Sequence, residues 1–332
     1  MTRRTPSPHG PPAEPRGRWL LWLRLGVSLL FLGVVAAAAW KTRGQWRLGF
    51  HGLGWLALGV LPGLASVGLK SWKWLVALRP LYPEVGFGQA LRSYLGGIPL
   101  SVLTPGRVGE LSRLVFLERP ELVSWRGAGS LVVDKLSDLA ALVWWLALGM
   151  WLAGPGWLGL VLGGVALALS PLGWWLRVAP GLVARLPLPA RWRERLGDMV
   201  PAPGDYPPWR VWALLGLGLA SFGVEWVQYW ALFNALAPAG TGVTLAETLA
   251  AMSLATVANL AQISFAGLGV REGLAALLLW ERISAAAAAV GSFLVFLCDV
   301  ALPGVVGLCL RPSLPGARQP ADPVVHSQGV GD

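Results

Sequence analysis

Charge is scarce in this sequence: 13% of the residues are charged and 55% are hydrophobic, whereas an ordinary soluble domain carries roughly 25% charged residues. A water-soluble globular fold is therefore excluded, because even a large domain leaves about a quarter of its unfolded surface exposed and needs a polar coat. Disorder is excluded over most of the chain by the high hydrophobicity. Histidine is scarcer still. His9, His51 and His326 lie near an end or in a loop, so zinc sites and histidine-based catalysis have almost nothing to build on. Cys298 and Cys309 stand eleven residues apart in one apolar segment. On a helix that spacing is roughly 16 Å, too far for a disulfide, and each reads as a small buried hydrophobe. No cofactor and no metal are expected.

What is present is apolar length. The 332 residues read as an all-α polytopic membrane protein. Residues 1–18, with Arg3, Arg4, Arg16 and Arg18 among five prolines, predict a disordered basic tail, and residues 312–332 a second tail. Between them, 19–311 form the membrane domain. Spans need about 20 apolar residues, and six stretches qualify: 19–40, 50–69, 128–153, 157–176, 209–237 and 287–310. The first has a charged flank and the small residues Ala36 to Ala39, as in a signal peptide, but its length favours an uncleaved span. Two further apolar segments, 86–118 and 243–281, are interrupted halfway by Pro or Gly with charged residues, and each reads as a re-entrant pair of half-helices. In the linker 177–208, Trp192, Leu196 and Met199 recur at helical spacing among Arg191, Arg193 and Arg195, the pattern of a short interfacial helix. Many of the 20 tryptophans sit near span ends, as in an interfacial belt, while Trp144 and Trp145 read as packing or lipid-facing.

The net charge of +10 would raise nucleic acid in a soluble protein, but no binding motif is present. In a membrane protein it follows the bias of Lys and Arg toward the cytoplasm, where they favour anionic headgroups by about 1 kcal/mol each. With both termini cytoplasmic, the inside segments collect 21 basic residues and the outside segments five. Lys41, Arg43 and Arg47, together in one short outside loop, run against the rule. The expected location is the cytoplasmic membrane.

The two interruptions are alike. The first runs Leu103-Thr104-Pro105-Gly106-Arg107-Val108-Gly109-Glu110, with Arg113 beyond it. The second runs Ser264-Phe265-Ala266-Gly267-Leu268-Gly269-Val270-Arg271-Glu272. A span precedes each, and an acid-bearing span follows each, carrying Asp134 and Asp138 in one case and Asp299 in the other. Because the first hairpin enters from the cytoplasm and the second from outside, the halves, about 50–153 and 209–310, form an inverted repeat, a recurrent transporter design.

Each residue type has a physical reason to be there. Thr104 is placed to N-cap a half-helix, with Pro105 at its first position. Gly106, Gly109, Gly267 and Gly269 permit tight turns and close backbone approach. A half-helix N-terminus offers donors and a positive dipole to an anion such as phosphate, which Arg107 and Arg271 would hold bidentately. Glu110 and Glu272 would bind an amine, carry a proton, or balance the arginines. The plainer alternative is that Arg107 and Glu110, an i, i+3 pair, only staple a helix start. Asp134, Asp138 and Asp299 read equally as a proton or cation path and as a paired structural network. Glu225, Gln228 and Asn234 read as helix contacts, and Arg113 and Arg126 as headgroup contacts.

On the first motif with Arg113, the stretch Asp134-Lys135-Leu136-Ser137-Asp138, and Ser264 through Glu272, the sequence resembles the flippase-like membrane family typified by the transmembrane region of lysylphosphatidylglycerol synthase, over about residues 19–311. The resemblance implies transfer of a phospholipid or polyprenyl-linked lipid between leaflets, with Arg107, Glu110, Arg271 and Glu272 lining the path. The expected partner is a membrane lipid with a phosphate headgroup. About twenty residues follow the last span, so the soluble aminoacyl-transferase domain of the two-domain synthases, and lipid aminoacylation with it, is expected to be absent. The family's second motif often carries a Pro before its glycines, where Phe265-Ala266 stands here. Two other readings stay open: a membrane-embedded glycolipid enzyme or accessory subunit, and a small-anion or proton antiporter.

Overall fold

Apolar sequence with few β-branched clusters and many Leu, Ala and Gly residues forms helix wherever Pro and polar breaks allow, since backbone groups in hydrocarbon must be satisfied within the segment. The computed structural model describes residues 50–104, 109–117, 123–170, 172–185, 187–202, 204–238, 240–259 and 268–310. It also describes Gly26, Leu29, Gly33, Ala36, Ala37 and Trp40, all helical and exposed. The expected tails at 1–18 and 312–332 lie outside the described residues.

All regular structure among the described residues is helical. In chain order it comprises α1 (Phe50–Leu78), α2 (Phe87–Leu103), α3 (Ser112–Val115), α4 (Trp125–Ala153), α5 (Gly156–Leu169), α6 (Leu172–Arg185), α7 (Ala190–Met199), α8 (Pro208–Leu236), α9 (Leu245–Asn259), α10 (Val270–Leu278), α11 (Ala285–Phe296) and α12 (Leu302–Cys309). A π-helical turn, Leu297–Ala301, joins α11 to α12. There the Leu302 N–H donates to the Leu297 carbonyl five residues back, and Pro303 can donate no bond of its own.

Among the described residues three helical stretches are long and apolar enough to cross a bilayer: Trp125–Ala153, Pro208–Leu236 and Ala285–Cys309. The other three expected spans stand differently. The stretch 19–40 is described only at the scattered helical residues. The expected span 50–69 is part of a longer helix, since α1 continues to Leu78 and carries Lys70 and Lys73 within it. The expected span 157–176 is divided: α5 ends at Leu169 and a new helix starts at Leu172. The Ser170 hydroxyl at that break donates to the Ala166 carbonyl and accepts from Trp144 Nε1 at 2.8 Å. Trp145 Nε1 donates to the Leu219 carbonyl at 3.0 Å, so both mid-helix tryptophans pack inward. A helix lies in the linker at Ala190–Met199, with no buried residue.

α1 packs along α8, and α4 lies against both. The cross-contacts are reciprocal: α2 rests on α12, and α9 rests on α4. Each contact is made through a glycine. A Cβ on Gly307 would stand 2.1 Å from the Leu95 carbonyl oxygen, and one on Gly149 would stand 2.5 Å from the Ala250 nitrogen. Small residues permit such backbone approach where lipid supplies no hydrophobic drive between helices.

Two apolar clusters fill the interior. One is centred on Trp226, Phe233 and Met252, and the other on Trp74, Leu78 and Leu214. Cys298 is half-buried, but Cys309 is exposed, which corrects the expectation of two buried thiols. It lies at the end of α12, on an outer face.

A buried seam of charged side chains as candidate functional site

Residues three and four apart share a helix face. On α1 the stripe Gly59, Gly63, Ser66, Lys70, Lys73 has that spacing, and on α8 so does Gly218, Ser221, Glu225, Gln228, Leu232. The helices run antiparallel with these stripes facing. Gly59 lies against Leu232, Gly63 against Gln228, Ser66 against Glu225, and Gly218 beside the Lys73 stem. Small and polar residues at the crossing leave room for charge.

Lys73 is the centre of the first group. Its side chain is 1% exposed, and its ammonium sits 2.9 Å from Asp134 Oδ1, donates to the Asp134 carbonyl at 2.9 Å and contacts Asp138. Arg113, from the short helix α3, reaches the same Asp134 at 3.5 Å and Glu110 at 3.6 Å, and lies over the Tyr94 ring. Lys135 closes the group from α4, 2.8 Å from Glu110 and 3.5 Å from Asp138. One helical turn along α1, Lys70 pairs with Glu225 of α8, which also accepts from Ser66 Oγ at 2.9 Å.

The second group continues along α8. Gln228 Nε2 donates to Asp299 Oδ1 at 2.9 Å, and Gly63 faces both, so that any Cβ there would meet them within 2.7 Å. Asp299 sits on the π-helical turn, an irregularity that recurs at functional sites. Farther on, Glu272 is fully buried and its Oε2 accepts from the Gly269 N–H at 2.8 Å. Arg271 pairs with Glu272 at 3.1 Å, donates to the Ser292 carbonyl at 3.3 Å, and packs over the Tyr229 and Phe296 rings. Among the described residues Gln228 Oε1, Arg271 Nε and Ser292 Oγ are buried without a partner.

Among the described residues five cations (Lys70, Lys73, Arg113, Lys135, Arg271) and six acids (Glu110, Asp134, Asp138, Glu225, Glu272, Asp299) thus line one seam. Every acid but one has a cation within ion-pair distance among the described residues. The exception is Asp299, held by an amide. Desolvating each ion costs several kcal/mol, so pairing of this kind does not by itself stabilise a fold relative to apolar packing.

The sequence-chosen residues fall unevenly around this seam. Glu110, Arg113, Asp134, Asp138, Arg271, Glu272 and Asp299 belong to it. Gly106, Arg107, Ser264 and Gly267 lie outside the described residues. The residues that Thr104 would cap as an N-cap, 105–108, lie outside the described residues. Thr104 ends α2, its hydroxyl donating to the Leu100 carbonyl at 2.7 Å and accepting from the Gly109 N–H at 2.6 Å. Gly109 is pressed so close to α2 that a Cβ would stand 1.9 Å from the Leu100 oxygen. Gly269 adopts φ 97° and leads into α10. Arg113 is 4% exposed, so it is an internal ion-pair partner and not a headgroup contact. Arg126 is exposed and stands 3.9 Å from Asp205. Asn234 makes the helix contact expected of it, tying α8 to Val243 before α9.

Ser66, Lys70 and Lys73 were missed, because a lysine at the end of an apolar run reads as the start of a loop. The signal that finds them is the three-and-four spacing of small and polar residues along 59–73, matched along 218–232. Among the described residues no three His, Cys, Asp or Glu side chains converge as a metal site.

An all-helical membrane protein with a charged seam between its longest helices is the class that fold and site define. The chain belongs to the family described as "Lysylphosphatidylglycerol synthase TM region", whose profile matches residues 19–307. No curated protein matches the chain.

Proposed function

We propose that this protein is a flippase-like lipid translocase, moving a phospholipid or polyprenyl-linked lipid between leaflets of the cytoplasmic membrane along the seam between α1 and α8. The observation that carries the reading is the seam itself: ionisable groups in an intramembrane interior are expensive, and where they persist they mark a substrate or ion path. Membership of the family, and with it membrane-embedded lipid chemistry, supports the same reading.

An inverted repeat underlies it. α1 corresponds to α8, the broken stretch α2–α3 to α9–α10, and α4 to the α11–α12 pair. The reciprocal packing of α2 on α12 and α9 on α4 is what a pseudo-two-fold axis in the membrane plane produces. The Pro- and Gly-containing interruptions within 86–118 and 243–281 serve as the midpoints of two hairpins entering from opposite sides, with both termini cytoplasmic. Arg107 and Arg271 hold the lipid phosphate, and Thr104, Gly106, Gly109, Glu110, Arg113, Ser264, Gly267, Gly269 and Glu272 complete or support the site. Asp134 and Asp138 act as fixed counter-charges. Asp299, which among the described residues is held by the Gln228 amide and not by a cation, carries the proton that couples transfer to an ion gradient. Carboxylates seated against cations suit charge transfer along a path better than general acid–base work, which favours translocation over the enzyme alternative.

Reconstitution into liposomes with fluorescent anionic, zwitterionic and cationic lipids tests the reading. Transfer faster than in empty vesicles, lost in Arg107→Ala and in Glu272→Gln, is expected, and transfer equal to empty vesicles overturns it. Topology has a separate test. Cysteines placed beside Arg107 and Arg271 are expected to label from opposite sides of the membrane, and labelling of both from the cytoplasm removes the inverted repeat.

A further inference from the structure

A groove of about 620 Å³ lies on the outer flank of the α1–α8 pair, away from the seam. Its walls are two helical stripes: Trp72, Val76 and Arg79 from the end of α1, and Trp209, Arg210, Ala213, Gly216 and Leu217 from the start of α8. That volume falls in the range of small-molecule and lipid sites, roughly 300–1,000 Å³. The two arginines stand at one end of the groove, where α1 stops and α8 begins. The Tyr206 hydroxyl donates to the Ala77 carbonyl there, fixing the two helix ends side by side and their arginines at one level. Arg210 is oriented by a bond from Nη1 to the Asp205 carbonyl at 3.1 Å and by stacking on Trp209. Among the described residues no acidic side chain lines the groove.

Away from the arginines the walls turn apolar. From Arg79 back to Trp72, and from Trp209 on to Leu217, each stripe runs roughly 10 Å along its helix. Gly216 leaves open space in the wall, with no atom within 4 Å of a Cβ built on it. Trp72 and Trp209 are more than half exposed, Trp209 beside Arg210 at the arginine end and Trp72 at the other end of the groove. Two cations at one end of an apolar trough fit an amphiphile carrying an anionic phosphodiester and an acyl chain.

We infer that this groove is a docking site for one anionic phospholipid, its phosphate held by Arg79 and Arg210 and one acyl chain laid along Val76, Ala213, Gly216 and Leu217. The site is separate from the seam and does not depend on lipid crossing the membrane. The guanidinium fork suits a phosphate bidentately, and the lining gives a zwitterionic headgroup's cation no carboxylate to meet.

Delipidated protein in detergent, titrated with phosphatidylglycerol or phosphatidylcholine and read by native mass spectrometry, tests this. The wild type is expected to bind one phosphatidylglycerol in preference to phosphatidylcholine. The double variant Arg79→Gln/Arg210→Gln is expected to lose affinity for phosphatidylglycerol about tenfold or more, two charge-assisted hydrogen-bonding partners being removed. Gly216→Leu, which fills the acyl trough and leaves the charges in place, is expected to weaken binding as well, while Arg185→Gln, a charge removed elsewhere on the surface, is expected to leave it unchanged. Equal binding of the two lipids, or full affinity in the double variant, overturns the site. So does displacement of the lipid by millimolar glycerol 3-phosphate, which would make the arginines a free-phosphate site.

Discussion

The ammonium of Lys73 lies 2.9 Å from the Asp134 carboxylate, across 61 residues of sequence and with 1% of the lysine side chain exposed. This pair joins α1 to α4, and Arg113 shares the same acid.

Removing Lys73 leaves Asp134 and Asp138 without their shared cation. Lys73→Met is expected to destabilise the protein by about 3–5 kcal/mol, the usual result of stranding a buried charge. The double variant Lys73→Met/Asp134→Asn should recover part of that loss. Thermal unfolding in detergent measures both, and an unchanged midpoint in the single variant contradicts the assignment.

Asp299 is the contrasting acid, since its partner is the Gln228 amide. Asp299→Asn keeps size and hydrogen-bonding capacity, so folding should be little affected. Lipid transfer in proteoliposomes should lose its response to an imposed pH gradient. A variant that still responds as the wild type does removes Asp299 from the proton path.

The glycine contacts of α12 with α2 and of α4 with α9 tolerate no side chain. Gly307→Ala and Gly149→Ala each press a methyl group into backbone, and overpacking of this kind costs about 1–3 kcal/mol or more. Gly163, where a Cβ meets nothing within 4 Å, is the control: Gly163→Ala should cause no loss, since Ala is favoured over Gly inside a helix by about 0.5–1 kcal/mol. Similar losses at all three positions would falsify the packing described for α2 on α12 and α9 on α4.

At the mouth of α9, Glu247 responds to pH in a direction the geometry fixes. Partial burial raises its carboxyl pKa, but the Thr244 N–H and hydroxyl, together with Arg282 2.6 Å away, outweigh that and hold it below the ordinary 4.5. A carboxyl depressed in the folded state contributes stability that is present above pH 4.5 and lost as pH falls through its folded value. Glu247→Gln should therefore lower stability near pH 7 and flatten the profile below about pH 4.5, so that variant and wild type converge in acid. An identical acid limb in variant and wild type counts against the interaction.

Composition alone decided the solvent: too few polar residues exist to coat a soluble core, and the profile match over 19–307 agrees with the motif reading. Local chemistry also determined the helix breaks near Thr104 and Gly269, because Pro, Gly and small polar residues act within a few positions of themselves. The break at Ser170 was not legible, being one polar residue and one proline in an apolar run. Nor was the seam. Lys70 and Lys73 read as the beginning of a basic loop because Glu225 lies 155 residues from Lys70 and Asp134 lies 61 from Lys73. A charge in an apolar chain states only that a partner is needed. Which acid meets which base depends on the antiparallel register of α1 on α8 and on the angle at which α4 and α3 approach. Those follow from the packing of whole helix faces, which only the tertiary structure decides.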